Sequence, residues 1–224
     1  ETDMSLPHYL QVLPENNPDF GIIFDASWSV RAEKGIERPT FTITRNSDND
    51  VGMWIDELNT PEGPSNQIPE FAKAVIRSDS AAELAVLAES VDVMYAEYPF
   101  DDSNYHRAEM TIDFDIASRS LTLKTAVAGA QHGSAPQENR SDGANPVVSL
   151  ANFLAGLANQ GKLMSNEISE MCRFLSWGWG TKVFGEHHPG LLQRDDEVFE
   201  RGNGTTYAAT RIYTRADLVQ MELD

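Results

Sequence analysis

Residues 109–127 read EMTIDFDIASRSLTLKTAV, and this stretch decides the fold class. Apolar residues occupy every second position across 110–116, where they alternate with threonine and acidic residues. After a turn at 117–120, the apolar face continues with Leu121 and Leu123. Such alternation is the period of a strand with one buried face. The stretch predicts an antiparallel hairpin whose other face is acidic and wet.

A second hairpin is predicted nearer the start of the chain. The β-branched run 40–44 alternates like a strand, 46–50 is a polar turn, and 51–55 is short and apolar. Two earlier runs, 20–24 and 28–30, are also typical of strands.

Two helices are predicted between the hairpins. Pro69 suits the first turn of one helix, and Ser80 with Glu83 forms a capping box for the next, which should end before Pro99. Apolar residues recur at helical spacing in both segments. They are Ile68, Phe71, Ala72, Val75 and Ile76 in the first, and Leu84, Leu87, Val91 and Met94 in the second.

A further helical pair is predicted after position 145. Asn145 followed by Pro146 is a helix start, Gly161 ends that helix, and Ser165 begins another. The two should form an αα-hairpin. Their apolar faces are Val147, Leu150, Ala151, Leu154 and Leu157 in the first helix, and Ile168, Met171, Cys172 and Leu175 in the second.

The last part of the sequence predicts a strand at 205–214. For the segment 218–223, two alternatives stay open. It is a short helix capped by Thr214 and Asp217, or it is another strand.

The elements together predict an α+β fold in which an antiparallel sheet built from β-hairpins packs with two helical pairs. We expect a single α+β domain over 1–224, with a flexible loop at 128–145. The expected core is Phe41, Ile43, Leu84, Leu87, Val91, Met110, Ile112, Phe114, Leu121, Leu123, Leu150, Leu154, Ile168 and Leu175.

The charge balance limits the possible partners. The chain has 35 acidic and 17 basic residues, for a formal net charge of -18. Such a surface repels nucleic acid and anionic membranes, so we expect a soluble protein that binds neither directly. The charge favours plain solubility first, and attraction to a basic partner second. The compartment is not predicted.

Cys172 is the only cysteine, so neither an intrachain disulfide nor a thiolate cluster can form within one chain. A nucleophilic thiol needs a neighbouring base or a helix N-terminus. Cys172 instead falls mid-helix on the apolar face, which predicts a buried, inert thiol.

Four oxygen-bearing side chains form a calcium candidate. Asn46, Asp48, Asp50 and Glu57 fall at positions one, three, five and twelve of an EF-hand loop. The turn position of that loop holds Val51 where glycine is needed, and the flanks are typical of strands. An acidic hairpin turn is therefore favoured over calcium, and no other cofactor is expected.

Histidines offer a second metal candidate. Glu186, His187 and His188 are adjacent in sequence, so they diverge in direction and would need ligands from elsewhere. A polar loop is the favoured interpretation. The additional ligands available to such a site are His106, His132 and Asp195.

An aromatic cluster follows the last predicted helix. Phe174, Trp177, Trp179 and Phe184 lie within a short stretch. They are either buried in the core beneath the following loop or exposed at a protein interface, because aromatic residues contribute strongly to both. We take them as interface candidates.

No nucleophile elbow and no glycine-rich nucleotide loop occurs in the sequence, so catalytic residues are unknown and enzymatic activity is not favoured. The sequence leads to three functional hypotheses. The preferred one is a non-catalytic structural subunit of a larger particle, for example a virion, with protein partners and self-association. The alternatives are an acidic binding or inhibitory protein, such as an immunity protein or nucleic-acid mimic acting on a basic partner, and an enzyme without a linear motif.

Overall fold

The chain divides into two compact units, Glu1–Ile36 and Glu37–Asp224, and the described residues all lie in the second. The backbone alone is described for 131–132 and 177–178. The other residues that the computed structural model describes are 40–46, 51–64, 67–100, 107–127, 145–176 and 210–222.

Antiparallel strands and three helices make up the described residues, which confirms the α+β class. The sheets have the strand orders β1-β9-β8, β2-β4-β6-β5 and β3-β7. The elements are β1 Thr40–Thr44, β2 Met53–Asn59, β3 Gln67–Ile68, β4 Phe71–Ser78, α1 Ala81–Ala96, β5 Glu109–Asp115, β6 Ser120–Ala126, β7 Gln131–His132, α2 Pro146–Asn159, α3 Glu167–Gly178, β8 Arg211–Thr214 and β9 Leu218–Glu222.

The hairpin predicted at 109–127 is confirmed as β5 and β6, which pair antiparallel. Leu121 and Leu123 are fully buried on one face, and alternate residues of β5 are exposed on the other. The carboxylate of Asp115 holds the turn by accepting from the backbone N–H of Ala117 at 2.9 Å and from the hydroxyl of Ser118 at 2.7 Å. The hydrogen bond from the Ser118 hydroxyl, followed by those from the N–H groups of Ala117 and Ser118, lowers the pKa of Asp115 below its ordinary value.

The helix predicted over the apolar positions from Ile68 to Ile76 is wrong, because β4 occupies this segment. β4 is a central strand with apolar residues on both faces. Ile76 is fully buried on the helix-covered face, while Val75, on the other face, is only 7% exposed. In a strand buried on both faces, apolar residues no longer alternate with polar ones. The spacing of the apolar residues in this segment therefore resembled that of a helix.

The hairpin predicted from 40–44 and 51–55 is also wrong, although both strands exist. β1 pairs with β9 near the other end of the chain, and β2 pairs with β4. Phe41 and Ile43 were expected in the core, but they are exposed because β1 lies at the outer side of its sheet. The final segment, left open between helix and strand, is the strand β9.

β8 joins the three-stranded sheet to the end of β2. The backbone N–H of Thr60 donates to the carbonyl of Ile212 at 2.9 Å. The hydroxyl of Thr214 accepts from the N–H of Leu58 and donates to its carbonyl, each at 2.9 Å. The hydroxyl of Thr214 therefore continues the contact between β8 and β2 beyond the backbone hydrogen bond of Thr60.

A bulge in β2 supplies a second link between the sheets. The register of β2 shifts between Ile55 and Glu57, which leaves Asp56 as the extra residue. Its carboxylate accepts from the guanidinium of Arg77 on β4 at 2.7 Å and of Arg45, directly after β1, at 3.4 Å. Asp56 thus holds the end of β1 against the four-stranded sheet.

α1 begins as predicted, with the hydroxyl of Ser80 accepting from the N–H of Glu83 at 3.3 Å. The predicted face of this helix is buried at Leu84, Leu87 and Val91. At its other end, the guanidinium of Arg107 donates to the last carbonyl groups of the helix.

α2 and α3 pack against each other, which confirms the second helical pair. Asn145 caps α2 by accepting from the N–H groups of Val147 and Val148, and Gly161 lies in the left-handed region at φ 70° after the helix ends. α2 is buried on nearly every side between the sheet and α3. The first predicted pair is reduced to α1 alone, because β4 replaces its partner. α3 begins at Glu167 and not at Ser165.

Candidate functional site

Three apolar side chains at the β1 side of the three-stranded sheet remain exposed. Phe41 and Ile43 on β1 are 41% and 37% exposed, and Phe174 on α3 is 37% exposed. The rings of Phe41 and Phe174 pack with their centroids 5.8 Å apart and their planes tilted by 55°. We call these three residues the edge patch.

The edge patch continues the core outward. Phe41 and Ile43 lie opposite Met221 and Val219 of β9, which are 1% and 0% exposed. Residues directly opposite each other in an antiparallel pair point to the same face of the sheet. The core-forming face therefore runs to the margin of the sheet, where its side chains are partly exposed.

α3 holds β1 in place at both ends of the strand. At one end, the backbone N–H of Asn46 donates to the carboxylate of Glu167 at 3.1 Å. At the other end lies the contact between Phe41 and Phe174. At the start of the helix, the side chain of Asn166 donates to the carbonyl of Ile55 at 2.7 Å, which ties α3 to β2 as well. The strand and the helix thus present one continuous surface.

A second surface lies on the solvent side of α1. Four exposed residues of α1, together with Glu97 directly after its end, are spaced three or four apart along one face, and the helix contains no basic residue. Val86 and Val93 are 67% and 53% exposed. We call this row the acidic stripe; its members are Glu83, Val86, Glu89, Val93 and Glu97.

The calcium candidate falls partly outside the described residues, since Asp48 and Asp50 are not described. Asn46 lies just after β1, and Glu57 lies in β2, where it accepts from the side chain of Asn59 at 3.4 Å. Strands therefore flank this loop, as its sequence indicated. In the part of the chain that the structure covers, no group of three His, Cys, Asp or Glu residues could hold a metal ion.

The histidine candidate lies beyond the described ranges. Glu186, His187, His188, His106 and Asp195 are not described, and His132 is described only by its backbone in β7. The proposed site at these residues stays a sequence-based prediction.

Cys172 is buried in α3, as predicted. Burial raises the pKa of its thiol to about 12, and the nearby positive charge of Arg173 lowers it by a smaller amount. The thiol is therefore protonated at neutral pH, and a thiolate is the form that attacks or binds metal. This chemistry fits an inert packing role.

The structure places one of the four aromatic interface candidates. Phe174 belongs to the edge patch, whereas Trp179 and Phe184 lie outside the described residues and Trp177 is described only by its backbone. Sequence reasoning missed the other two members of the patch, because it assigned Phe41 and Ile43 to the core. Residues 40–44 include no charged residue, which is typical of a covered strand, so no signal within this stretch indicated that it lies at an edge.

A buried polar contact between α1, α2 and the start of β5 was also missed. The hydroxyl of Ser149 accepts from the N–H of Ala108 at 3.1 Å, and the hydroxyl of Tyr95 donates to the carbonyl of Ala108 at 2.7 Å. Burial raises the pKa of Tyr95 to about 12, while the hydrogen bond with Ser149 and the charge of Arg107 lower it to a smaller extent. Each partner satisfies a buried polar group, which is a structural role.

No protein-family profile matches the chain, and no curated protein matches it either. Among the described helices, none is both long and apolar enough to cross a membrane.

Proposed function

We propose that this chain is a non-catalytic structural subunit of a larger particle, and that it binds other protein chains through the edge patch. The observation that carries the proposal is the exposure of Phe41, Ile43 and Phe174 on one continuous surface. Aromatic residues are enriched in protein interfaces, where a partner removes them from water.

The position of the patch supports this role. Scattered exposed apolar residues are normal on a protein surface, but these three adjoin each other and adjoin the buried face of a sheet. A partner that covers them extends an existing core and needs no rearrangement of α3 or β1. Each Å² of apolar surface removed from water contributes about 25 cal/mol to binding before the entropic costs of association.

The test compares two double variants by their mass in solution at moderate salt. Phe41→Ser with Phe174→Ser removes the edge patch, whereas Val86→Ser with Val93→Ser removes exposed apolar residues from the acidic stripe. We expect wild type and the valine variant to self-associate as concentration rises, and the phenylalanine variant to remain a monomer. Circular dichroism and urea unfolding verify that each variant is folded. If wild type and the phenylalanine variant have the same mass at every concentration, the proposed interface is wrong.

A second function is supported by the acidic stripe. Its two valines lie two helical turns apart on one face, with Glu89 between them and Glu83 and Glu97 at the ends. This arrangement fits an amphipathic segment that carries apolar residues at helical spacing and lysine or arginine around them. An acidic binding protein acting on a basic partner would use such a surface.

The probe for this second function is a designed peptide with leucine at helical spacing and lysine at the other positions. We expect wild type to bind it at low salt and to release it at high salt. Changing Glu83, Glu89 and Glu97 to glutamine should weaken binding. A control of equal charge change comes from the exposed acids of β5, in the variant Glu109→Gln, Asp113→Asn, Asp115→Asn. If the two variants lose the same amount of affinity for the peptide, the peptide is attracted by net charge alone and not by the acidic stripe.

A further inference from the structure

We propose that the partner of the edge patch is a second copy of this chain, and that the two β1 strands pair antiparallel about a twofold axis at Thr42. This inference rests on the proposed function, because it names the occupant of the same surface. It also specifies how the two β1 strands align, so that the three-stranded sheets of the two copies become one continuous sheet.

Pairing with a second copy needs backbone N–H and C=O groups of β1 that point away from β9, and β1 has them. The N–H of Arg45 donates to the carbonyl of Asp217 at 2.9 Å, which continues the regular register between β1 and β9. In an antiparallel ladder, the N–H and C=O of one residue point to the same side, and the next residue points to the other. The polar groups of Arg45, Ile43 and Phe41 therefore point toward β9, and those of Thr40, Thr42 and Thr44 point away from it.

The outer side of β1 is accessible. All five residues of the strand are exposed, including the threonines on the face opposite the edge patch. Within the described ranges, no strand pairs with β1 on the side away from β9. An exposed strand with unpaired polar groups is a template for pairing with another chain.

The sequence of β1 is suited to pairing with itself. Rotation about Thr42 places Thr42 opposite Thr42, Thr40 opposite Thr44, and Phe41 opposite Ile43 of the other copy. The outward groups of Thr42 make this central pair the hydrogen-bonded kind, so Phe41 and Ile43 meet in the closer, non-hydrogen-bonded kind, with Cα atoms about 4.5 Å apart. Each exposed apolar side chain of β1 in one copy then covers one of β1 in the other.

Charge favours β1 over β5, an outer strand of the four-stranded sheet. Two chains of charge -18 repel each other overall, so contact between them is favoured at surfaces that carry no acidic residue. β1 contains no charged residue. In β5, the same rotation about Ile112 would place Glu109 opposite Asp115 and bring acidic residues of two copies together. Like charges directly opposite each other destabilise a sheet. The acidic residues of β5 therefore protect it against pairing with a second copy, whereas β1 has no such protection.

The first test is Thr42→Pro. Proline removes the outward N–H of residue 42 and leaves the hydrogen bonds between β1 and β9 intact, which is tolerated on an outer strand. We expect its urea unfolding curve, measured as a monomer, to match wild type. Self-association should weaken about tenfold or more, because two symmetry-related hydrogen bonds are lost. Wild-type association in a folded Thr42→Pro protein would overturn the pairing.

The second test uses cysteine at the proposed twofold axis. In Thr42→Cys, the paired Cα atoms would lie about 5.5 Å apart, which is within reach of a disulfide. Under mild oxidation by oxidised glutathione, we expect a covalent dimer at concentrations where Thr111→Cys, an exposed threonine replaced on β5, stays monomeric. The buried Cys172 does not interfere under native conditions. Equal cross-linking of both variants, or of neither, would contradict the register.

The two proposals fail differently. If the chain self-associates, loses this with Phe41→Ser and Phe174→Ser, but keeps it in Thr42→Pro without forming a Thr42→Cys dimer, then the edge patch is an interface and the strand pairing is wrong. If wild type stays a monomer at every concentration and Thr42→Cys does not cross-link, both self-association and strand pairing are overturned.

Discussion

The ring of Phe174 on α3 packs against the ring of Phe41 on β1, with 5.8 Å between their centroids. The two residues are far apart in sequence, and the fold brings their rings together on one surface. Phe41 and Phe174 are 41% and 37% exposed, so each side chain is partly covered by the protein and partly open to solvent. The contact therefore orders the edge strand within one chain and exposes apolar area to a partner.

We predict that these two rings stabilise the monomer cooperatively. In a double-mutant cycle of Phe41→Ala and Phe174→Ala, the coupling in the free energy of unfolding should be about 0.5–1.5 kcal/mol, the range for tilted aromatic pairs. Urea unfolding at concentrations below any self-association provides the measurement. Phe41→Ala combined with Val86→Ala is the control, and it should be additive because Val86 lies on α1. Additive effects for both pairs would show that the ring contact does not couple the strand to the helix.

Local sequence patterns predicted part of the fold well. The hairpin of β5 and β6 and the Asn145 cap were both recognisable, because their signals lie within a few residues of each other. The pairing of β1 with β9 has no such signal, since nothing in 40–44 indicates which distant strand lies beside it. β4 was mistaken for a helix because a central strand with two apolar faces shows no two-residue period.

The candidate surface was harder to predict than the fold. Phe174 was recognised as an aromatic anchor, but whether it faced the core or a partner depended on what packs against it. Phe41 and Ile43 have the alternation of a buried strand, and only their place at the margin of the sheet leaves them exposed. Exposure at an edge is a property of the sheet as a whole, so the sequence of one strand does not determine it.

The two capping residues should differ in their contribution to stability. Asn145 is fully buried and accepts from the N–H groups of Val147 and Val148, at 3.0 and 3.1 Å. The hydroxyl of Ser80 accepts one exposed hydrogen bond, from the N–H of Glu83. We predict a loss of about 2 kcal/mol for Asn145→Ala and about 0.5–1 kcal/mol for Ser80→Ala, since only the first leaves buried donors unsatisfied. Urea unfolding measures both losses, and equal values would mean that burial does not strengthen the cap.

Gly156→Ala should destabilise the protein, although alanine normally favours a helix. A Cβ at position 156 would lie 2.4 Å from Cε2 of Tyr98, whose hydroxyl donates to the carbonyl of Asn152 at 2.9 Å and holds the ring in place. We expect a loss of about 1–3 kcal/mol from overpacking, against an intrinsic gain of about 1 kcal/mol. Thermal or urea unfolding measures the change. In a Tyr98→Ala background the clash is absent, so the same substitution should be neutral or stabilising; destabilisation there as well would exclude Tyr98 as the cause.

The buried thiol of Cys172 should make stability fall at alkaline pH. Its pKa rises from 9.0 to about 12 on folding, chiefly because burial disfavours the thiolate. The unfolded state therefore loses this proton first, so the contribution is fully present below pH 9.0 and is lost as pH rises toward 12. For one proton, the free energy of unfolding falls by at most about 1.4 kcal/mol per pH unit. Cys172→Ala removes the titration, whereas Tyr95 and the other groups titrate in both proteins and cancel in the comparison.

Urea unfolding of wild type and Cys172→Ala at pH 8 and pH 11 measures this effect. The alanine variant is expected to be less stable at pH 8, because it leaves a small cavity in α3. By pH 11 the stability advantage of wild type should have shrunk by about 2–3 kcal/mol, because only wild type loses the thiol contribution. At pH 8 the native thiol should also resist a thiol reagent that labels it readily in urea. A constant difference between the two proteins across this range would mean that the thiol ionises as easily in the folded chain as in water, which contradicts its burial.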